Sequence, residues 1–244
     1  MTSVALALTL AASGPALDPQ EVLRRSDPGR LSPQSFRARL RLARGDRAHD
    51  VEVWHQGRSR TLVRLLAPSD RGKFLLRRDD ELWLVSPRTR RPTRLPKAYR
   101  LYGAASLDEA LGRFQAENYV PTGVTEETDE QGGPLLVVDL EARDPKSTFP
   151  HARLLTRPGD FRALRIEYFL RSGKPATVVE FAGWDEGRPR RLVVRDHLHS
   201  EGSVTVDIVR LEELPVPLGL FDLEDGAARA RLPPPLAAEG TPQQ

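Results

Sequence analysis

The sequence predicts a mainly β fold in which one large antiparallel sheet curls on itself and few helices accompany it. Short segments of alternating polarity recur along the 244 residues, and glycine-containing turns separate them at the short intervals typical of meanders. We count about eleven such segments and find no internal repeat. With 39% hydrophobic and 29% charged residues, the chain has the composition of a folded domain with a substantial core.

The first predicted strand shows the pattern most clearly. In Ser35–Arg44 the side chains of Phe36, Leu40 and Leu42 fall on one face, and arginines occupy the positions between them. This period of two is typical of a sheet with one apolar side and one hydrated side. Further strands are predicted at 49–55, 59–67, 73–77, 81–85, 135–142, 151–156, 164–170, 176–182, 191–199 and 204–211.

Two helices are predicted. One covers Asp18–Arg25, where Asp18 provides the N-cap and a proline follows in the first turn. The other covers Ser106–Tyr119, where Ser106 and Glu109 have the spacing of a capping box. The second helix carries an apolar stripe at helical spacing, formed by Leu107, Ala110, Leu111 and Phe114.

The ends of the chain differ from its centre. Residues 1–16 contain a short apolar run followed by small residues, which predicts a secretory signal peptide cleaved near Ala16. Residues 17–226 are expected to form one domain, and the proline-rich residues 227–244 a flexible tail. These features predict a protein that is soluble in the periplasm after cleavage.

Several chemistries are excluded by the sequence. There are no cysteines, so disulfides, thiolate metal sites and cysteine nucleophiles are ruled out. Nucleotide-binding glycine motifs and the serine hydrolase elbow are absent too. Arg88–Arg94 is basic but lacks interleaved aromatic residues, so we predict a hydrated connection and no nucleic-acid partner. His197, His199 and Glu201 form a conceivable metal group, although a surface pair of histidines is the simpler interpretation.

Three consecutive runs carry a resemblance to a known family. They are Pro68–Leu76 (PSDRGKFLL), Leu82–Pro87 (LWLVSP) and Arg90–Leu95 (RRPTRL). In this order they resemble the outer-membrane lipoprotein-sorting family, the LolA-like periplasmic carriers, in the branch often found beside RND-type exporters. The resemblance extends over residues 35–224.

The resemblance implies an incomplete antiparallel β-barrel whose concave face is covered by helices and holds acyl chains. It implies no catalytic residue, metal or cofactor, and the missing lipobox cysteine favours the soluble carrier over the anchored acceptor. The best-known carriers of this family have an important arginine in the cavity, which cannot be assigned to one position of this sequence. Arg37, Arg39 and Arg41 are candidates by location. On the patterns above, the inward-facing lipid-cavity candidates are Phe36, Leu40, Leu42, Leu62, Leu75 and Trp83, and the lid candidates are Leu107, Leu111 and Phe114.

The predicted function is therefore transport of a lipoprotein or lipid between membranes, with transient membrane contact and no enzymatic reaction. An RND-type exporter and an outer-membrane acceptor are the expected protein partners. Two alternatives stay open. One is a periplasmic adaptor without lipid, built on a filled interior, and the other is a metalloenzyme that uses His197, His199 and Glu201.

Overall fold

Thirteen strands form one antiparallel sheet in the computed structural model, which describes residues 17–27, 33–57, 59–79, 81–87, 91–96, 99–103, 105–111, 116–198 and 202–237. The strands are β1 (Ser35–Arg44), β2 (Arg47–Gln56), β3 (Arg60–Leu65), β4 (Phe74–Arg78), β5 (Glu81–Val85), β6 (Thr93–Leu95), β7 (Tyr119–Thr128), β8 (Pro134–Ala142), β9 (His151–Thr156), β10 (Ala163–Phe169), β11 (Pro175–Asp185), β12 (Arg188–Asp196) and β13 (Ser203–Glu213). The helices are α1 (Pro19–Ser26), α2 (Leu107–Ala110) and α3 (Gly226–Ala230), with 3-10 turns at Pro68–Asp70, Ala116–Asn118 and Leu218–Phe221. Within these ranges, every helix is too short or too polar to cross a bilayer.

Most strands pair with their neighbours in the chain, and the first strand also pairs with the last. The order is β6-β5-β4-β3-β2-β1-β13-β12-β11-β10-β9-β8-β7, so β1 pairs with both β2 and β13. The two edge strands, β6 and β7, are consecutive in the chain. The sheet is not closed between them, and the connection from β6 to β7 passes over one face instead. The predicted incomplete barrel is confirmed.

Both edge strands carry features that oppose pairing with another chain. Strand β6 has only three residues. Strand β7 contains Pro121, a register shift between Pro121 and Gly123, and the exposed Glu126 and Glu127. Proline removes a donor, a bulge twists the edge away, and charges repel a further strand. The open seam of the barrel is thereby protected from edge-to-edge association.

Apolar side chains on the two faces of the sheet form separate clusters. The inner cluster lies on the face that α1 and α2 cover, and it extends from β1 to β5 and from β7 to β13. The outer cluster lies on the opposite face and is made of Trp54, Leu62, Leu76, Val216, Leu220 and Phe221. A smaller outer group, Leu135, Val137 and Leu155, covers the other half of the sheet. Strand β8 is therefore buried on both sides, as its continuous apolar run predicts.

Helix α1 confirms the first predicted helix. The side chain of Asp18 accepts a hydrogen bond from the backbone N–H of Gln20 at 3.0 Å, which satisfies one free donor of the first turn. Val22 and Leu23 are buried in the inner cluster, and the helix packs on β7 and β8. Helix α1 therefore covers the part of the inner face next to the edge strand β7.

The second predicted helix is much shorter than expected. Of Ser106–Tyr119, the described residues form the four-residue α2, a turn at Leu111, a 3-10 turn at Ala116–Asn118 and the start of strand β7, while 112–115 lie outside the described part of the chain. Strands β6 and β7 were not among those predicted, and they bring the total to thirteen. The three-residue length of β6 and the proline, glycine and glutamates of β7 conceal them, because edge strands are not selected for an apolar alternation.

The chain after β13 returns over the outer face. Leu218–Phe221 and α3 pack against the outer cluster, and residues 231–237, which we name the C-terminal strap, continue across β3, β2 and β1. This differs from the expected flexible tail over 227–244, of which residues 238–244 lie outside the described part of the chain. The strap is held because the carbonyl oxygens of its prolines accept hydrogen bonds from arginines more than 160 positions earlier.

Candidate functional site

Four of the six lipid-cavity candidates lie on the inner face, as predicted. Phe36, Leu40, Leu42 and Leu75 are each at most 6% exposed and belong to the inner cluster. They come from β1 and β4, which are separated by β3 and β2 in the sheet. The inner face is therefore a continuous apolar surface, and in this structure its side chains contact the elements that cover them.

The other two candidates, Leu62 and Trp83, do not point inward. Direct cross-strand pairing places Trp54, Leu62, Leu76 and Trp83 in one row across β2 to β5, and this row belongs to the outer cluster. The prediction for these two residues is wrong. Strands β3 to β5 are apolar on both faces, so their sequences do not reveal which alternate set faces inward.

The connection from β6 to β7 covers the middle of the inner face. We name its described residues, 99–103 and 105–111, the lid. Leu107 is 6% exposed and lies in the inner cluster together with Ala105 and Ala110, and Leu111 packs against this cluster. The third lid candidate, Phe114, lies outside the described residues. Tyr99, Leu101 and Tyr102 pack against the same cluster, so the lid covers the inner face with apolar side chains from both of its described parts.

Polar contacts of the lid with the sheet are long. Arg100 donates to a carboxylate oxygen of Glu109 at 3.2 Å and, across to β12, to one of Asp196 at 3.3 Å. The predicted capping box is confirmed, because Glu109 accepts from the backbone N–H of Ser106 at 2.7 Å and the hydroxyl of Ser106 accepts from the N–H of Glu109 at 3.3 Å. Glu109 therefore both starts α2 and orients Arg100 toward the sheet.

A glycine brings the lid into direct contact with the sheet. Gly103 has a left-handed backbone with a φ of +50°, and a Cβ built on it lies 2.9 Å from Cγ2 of Val204 on β13. A larger residue at this position would push the lid away from β13. Nearby, the hydroxyl of Tyr102 donates to the carbonyl of Arg47 at 3.4 Å. The lid is therefore closed against the centre of the sheet.

The arginines of β1 belong to the outer face, and this corrects their candidacy for the cavity. Arg37 and Arg64 both donate to Glu52, whose side chain is fully buried, with Arg37 Nε 2.8 Å from Oε1. Both guanidinium groups also lie over the ring of Trp54, at 5.4 and 5.0 Å from its centroid. Arg39 pairs with Asp50 beside them.

The same outer-face group binds the C-terminal strap. Glu52 accepts from the backbone N–H of Leu236 at 2.9 Å, while Arg64 donates to the carbonyl of Pro233 at 3.0 Å and Arg37 to that of Pro234. Nothing in the sequence around Glu52 indicated this role, because its partners are distant in the chain. Its only sequence signal is a carboxylate next to two residues with strong strand preference, Val51 and Val53.

Tyr119 lies where the lid connection enters the edge strand β7. It is 7% exposed, and its hydroxyl donates to the carbonyl of Phe149 at 3.2 Å. Burial raises the pKa of Tyr119 to about 12, and a hydrogen bond with Ser147 opposes this shift. The phenol therefore remains neutral at the rim of the inner cluster.

Two pockets in the described part of the chain have the size of ligand sites, and both lie away from the inner candidates. One, of about 340 Å³, lies beside the bulge of β7, near Asp139 and Phe169. The other, of about 550 Å³, lies between the β4–β5 hairpin and α3. Among the described residues no group of three or more potential metal ligands occurs. His199 and Glu201, the partners proposed for His197, lie outside the described residues.

Comparison with solved structures identifies the class of fold. A LolA superfamily protein from Nitrosomonas europaea superposes with a TM-score of 0.70 at 24% identity, over 85% of this chain and 98% of the other. A candidate outer membrane lipoprotein-sorting domain from Vibrio parahaemolyticus gives 0.66 at 16% identity, over 83% and 95%. A DUF1329 family protein from Desulfovibrio piger gives 0.65 at 15% identity, over 84% and 95%. The protein has the LolA-like fold, as the sequence resemblance predicted.

Comparison of sequences places the chain in a family. A family model described as "Uncharacterized protein" matches residues 57–215, which is well over half of the chain, and the protein belongs to that family. A search of curated proteins finds no match to the sequence. The matched region begins at the end of β2 and ends just after β13, so it contains both edge strands and the lid.

Proposed function

We propose that the protein is a periplasmic carrier that binds the acyl chains of a lipoprotein or lipid on its inner face and moves them between membranes. The observation that carries this proposal is the covering of a continuous apolar face by a separate chain segment, the lid, whose described hydrogen bonds to the sheet are long, at 3.3 and 3.4 Å. The partners that such a carrier requires are a donor of the acylated cargo at the inner membrane, such as an RND-type exporter, and an acceptor at the outer membrane. No reaction is part of the proposal.

The free energy of apolar burial favours replacement of the lid by an acyl chain on the inner face. Each buried methylene contributes about 0.8 kcal/mol, so a sixteen-carbon chain gains on the order of 12 kcal/mol on leaving water. Lifting the lid exposes Leu107 and parts of Leu101 and Leu111, each at up to about 1.5–3 kcal/mol, and breaks polar contacts worth about 0.5–1.5 kcal/mol each. An acyl chain that takes the place of the lid on the inner cluster offsets this cost by the apolar area that it buries in turn.

The lid also explains how an empty carrier stays in solution. A continuous apolar face of this extent promotes association when it is exposed. With the lid and α1 in place, the large apolar side chains that are exposed in the described residues are Leu17, Val120, Leu198 and Leu218, on separate elements. This scattered exposure offers no flat apolar patch of the kind that the adaptor alternative requires.

A disulfide across the lid tests the proposal directly. The chain has no cysteines, so the double variant Gly103→Cys/Val204→Cys contains one possible intramolecular disulfide. A Cβ built on residue 103 lies 2.9 Å from Cγ2 of Val204, so side chains at these two positions are within reach of each other, and the Val204→Cys change removes one of the two γ-methyl groups at this contact. The reduced form of the same protein serves as its own control.

The probe is a fluorescent triacylated lipopeptide, which is too large for either pocket described above. We expect saturable uptake by the reduced double variant and by the unmodified chain, at least a tenfold loss on oxidation, and recovery with dithiothreitol. Acyl-bearing molecules should also be recovered by lipid extraction of the purified protein. Equal uptake by the oxidised and reduced forms, or no uptake by either, would refute the carrier proposal.

A further inference from the structure

The 550 Å³ pocket lies on the outer face, on the opposite side of the sheet from the lid. One wall is the β4–β5 hairpin, where Phe74 and Val85 are direct cross-strand partners. The opposite wall is the C-terminal segment with Leu223, Gly226 and Arg229. A volume of this size falls within the roughly 300–1,000 Å³ of small-molecule sites. The pocket is independent of the inner face, because the full thickness of the sheet separates them.

The walls of the pocket are held in place by specific contacts. Gly72 has a φ of +78°, and a Cβ built on it lies 3.1 Å from the ring of Pro87, so the turn before β4 packs tightly on the end of β5. On the other wall, the guanidinium of Arg229 donates to the carbonyl oxygens of Asp222 and Leu223, the latter at 3.0 Å. These contacts fix α3 against the chain that precedes it. The pocket is thus built by ordered elements on both sides.

The lining combines apolar surface with charged side chains of both signs, and Arg91 stands at its exposed rim. Phe74, Val85, Pro87 and Leu223 provide the apolar part. Arg229, which is 6% exposed, and the exposed Arg91 carry the positive charges, while Glu224 is the lining carboxylate. Burial lowers the pKa of the Arg229 guanidinium, and the carboxylates of Asp225 and Asp222 oppose this shift. Arg229 still remains a cation at physiological pH because the pKa of arginine is far above 7.

We propose that this outer pocket is a second ligand site, which binds a single-chain amphiphile with an anionic headgroup. The chain lies along Phe74, Val85 and Leu223, and the headgroup is oriented by Arg91 at the rim. The volume suits one short chain and excludes a multiply acylated lipoprotein. The site therefore differs from the inner face both in location and in the class of its ligand.

Gly226 offers a way to fill the pocket without strain. It lines the pocket, its φ is not in the left-handed region, and a Cβ built on it has no neighbour within 4 Å. Gly226→Trp therefore adds a large side chain at the wall of the pocket without a clash at its Cβ. Gly159→Trp is the matched control, because Gly159 has the same freedom and lies in the exposed turn between β9 and β10. Arg91→Gln removes the rim charge at an exposed position, so the fold is unaffected.

The probes are decanoate and decanol. Their binding is measured by calorimetry and by changes in the methyl NMR signals of Val85 and Leu223. We expect saturable binding of decanoate to the unmodified chain, at least a tenfold loss of affinity in Gly226→Trp and less than a twofold change in Gly159→Trp. Arg91→Gln should weaken decanoate three- to tenfold and leave the weaker binding of decanol unchanged. The oxidised Gly103→Cys/Val204→Cys protein should bind decanoate normally.

Each contrary result has a distinct meaning. No binding of decanoate, or equal binding to Gly226→Trp and the unmodified chain, overturns the second site. Equal affinity for decanoate and decanol, with no effect of Arg91→Gln, overturns the anionic headgroup. Decanoate binding that survives Gly226→Trp but disappears when the lid is locked assigns the ligand to the inner face, which overturns this site and supports the proposed carrier function.

Discussion

Replacing Glu52 by glutamine should destabilise the fold more than any change at an exposed ion pair. Its carboxylate is fully buried and accepts hydrogen bonds from Arg37, Arg64 and the backbone N–H of Leu236. Glutamine keeps the shape but removes the charge, so two largely buried guanidinium groups lose their common counterion. Removal of one partner from a buried ionic group costs about 3–5 kcal/mol. The strap should also loosen, because one of its attachments is Glu52 itself.

Urea unfolding measures this cost. With a slope of about 3 kcal/mol per molar urea, the expected loss lowers the midpoint by about 1–1.7 M. Glu81→Gln is the matched control: Glu81 and Arg94 pair at 2.9 Å, but their side chains are 39% and 61% exposed. An exposed pair contributes at most about 1 kcal/mol, so its midpoint should shift by less than 0.4 M or so. Equal midpoints for the two variants would refute the assignment of Glu52 as a buried structural anion.

Two further predictions concern the inner face. In the unmodified protein the folded pKa of Tyr119, about 12, exceeds its ordinary value, so up to about 2.7 kcal/mol of stability present below pH 10 is lost as the pH rises through 12. Tyr119→Phe has no phenol to ionise and should not show this loss. Urea midpoints at pH 9 and 11.5 test it, and an unchanged pH dependence in the variant would contradict it. Leu40→Ala, at a position 1% exposed, should cost about 2–5 kcal/mol, whereas Leu218→Ala, at a position 57% exposed, should stay within about 0.5 kcal/mol in the same assay.

The parts of the fold that the sequence reveals are those where one face is apolar and the other is not. Strand β1 alternates strictly between apolar residues and arginines, and both its burial and its orientation are as predicted. The capping box at Ser106 is local, so two residues suffice to predict it. In β3, however, Leu62 and Val63 are equally apolar, and only the pairing of Leu62 with Trp54 shows that it faces outward.

The features of the fold that the sequence does not reveal depend on contacts between residues that are far apart in the chain. The strap contains three consecutive prolines, which lack N–H donors and so indicate an extended, unpaired segment. Their carbonyl oxygens still accept hydrogen bonds, and the donors are Arg37 and Arg64. The outer pocket was missed for a related reason. Its walls come from the β4–β5 hairpin and from α3, which are about 140 positions apart, and neither wall alone has the pattern of a binding motif.

The two coverings of the sheet differ in strength, and this difference bears on which side opens. On the outer face, the strap is tied to a buried carboxylate and two arginines, and such a group loses about 3–5 kcal/mol when one member is removed. On the inner face, Arg100 of the lid pairs with Asp196 of β12 at 3.3 Å, and the side chain of Arg100 is 28% exposed. A pair with one partly hydrated member loses less on separation than a group whose members are all buried. We therefore expect the lid to open more readily than the strap. The proposed carrier function requires the inner side of the sheet to open, and the proposed second site requires the outer covering to stay in place.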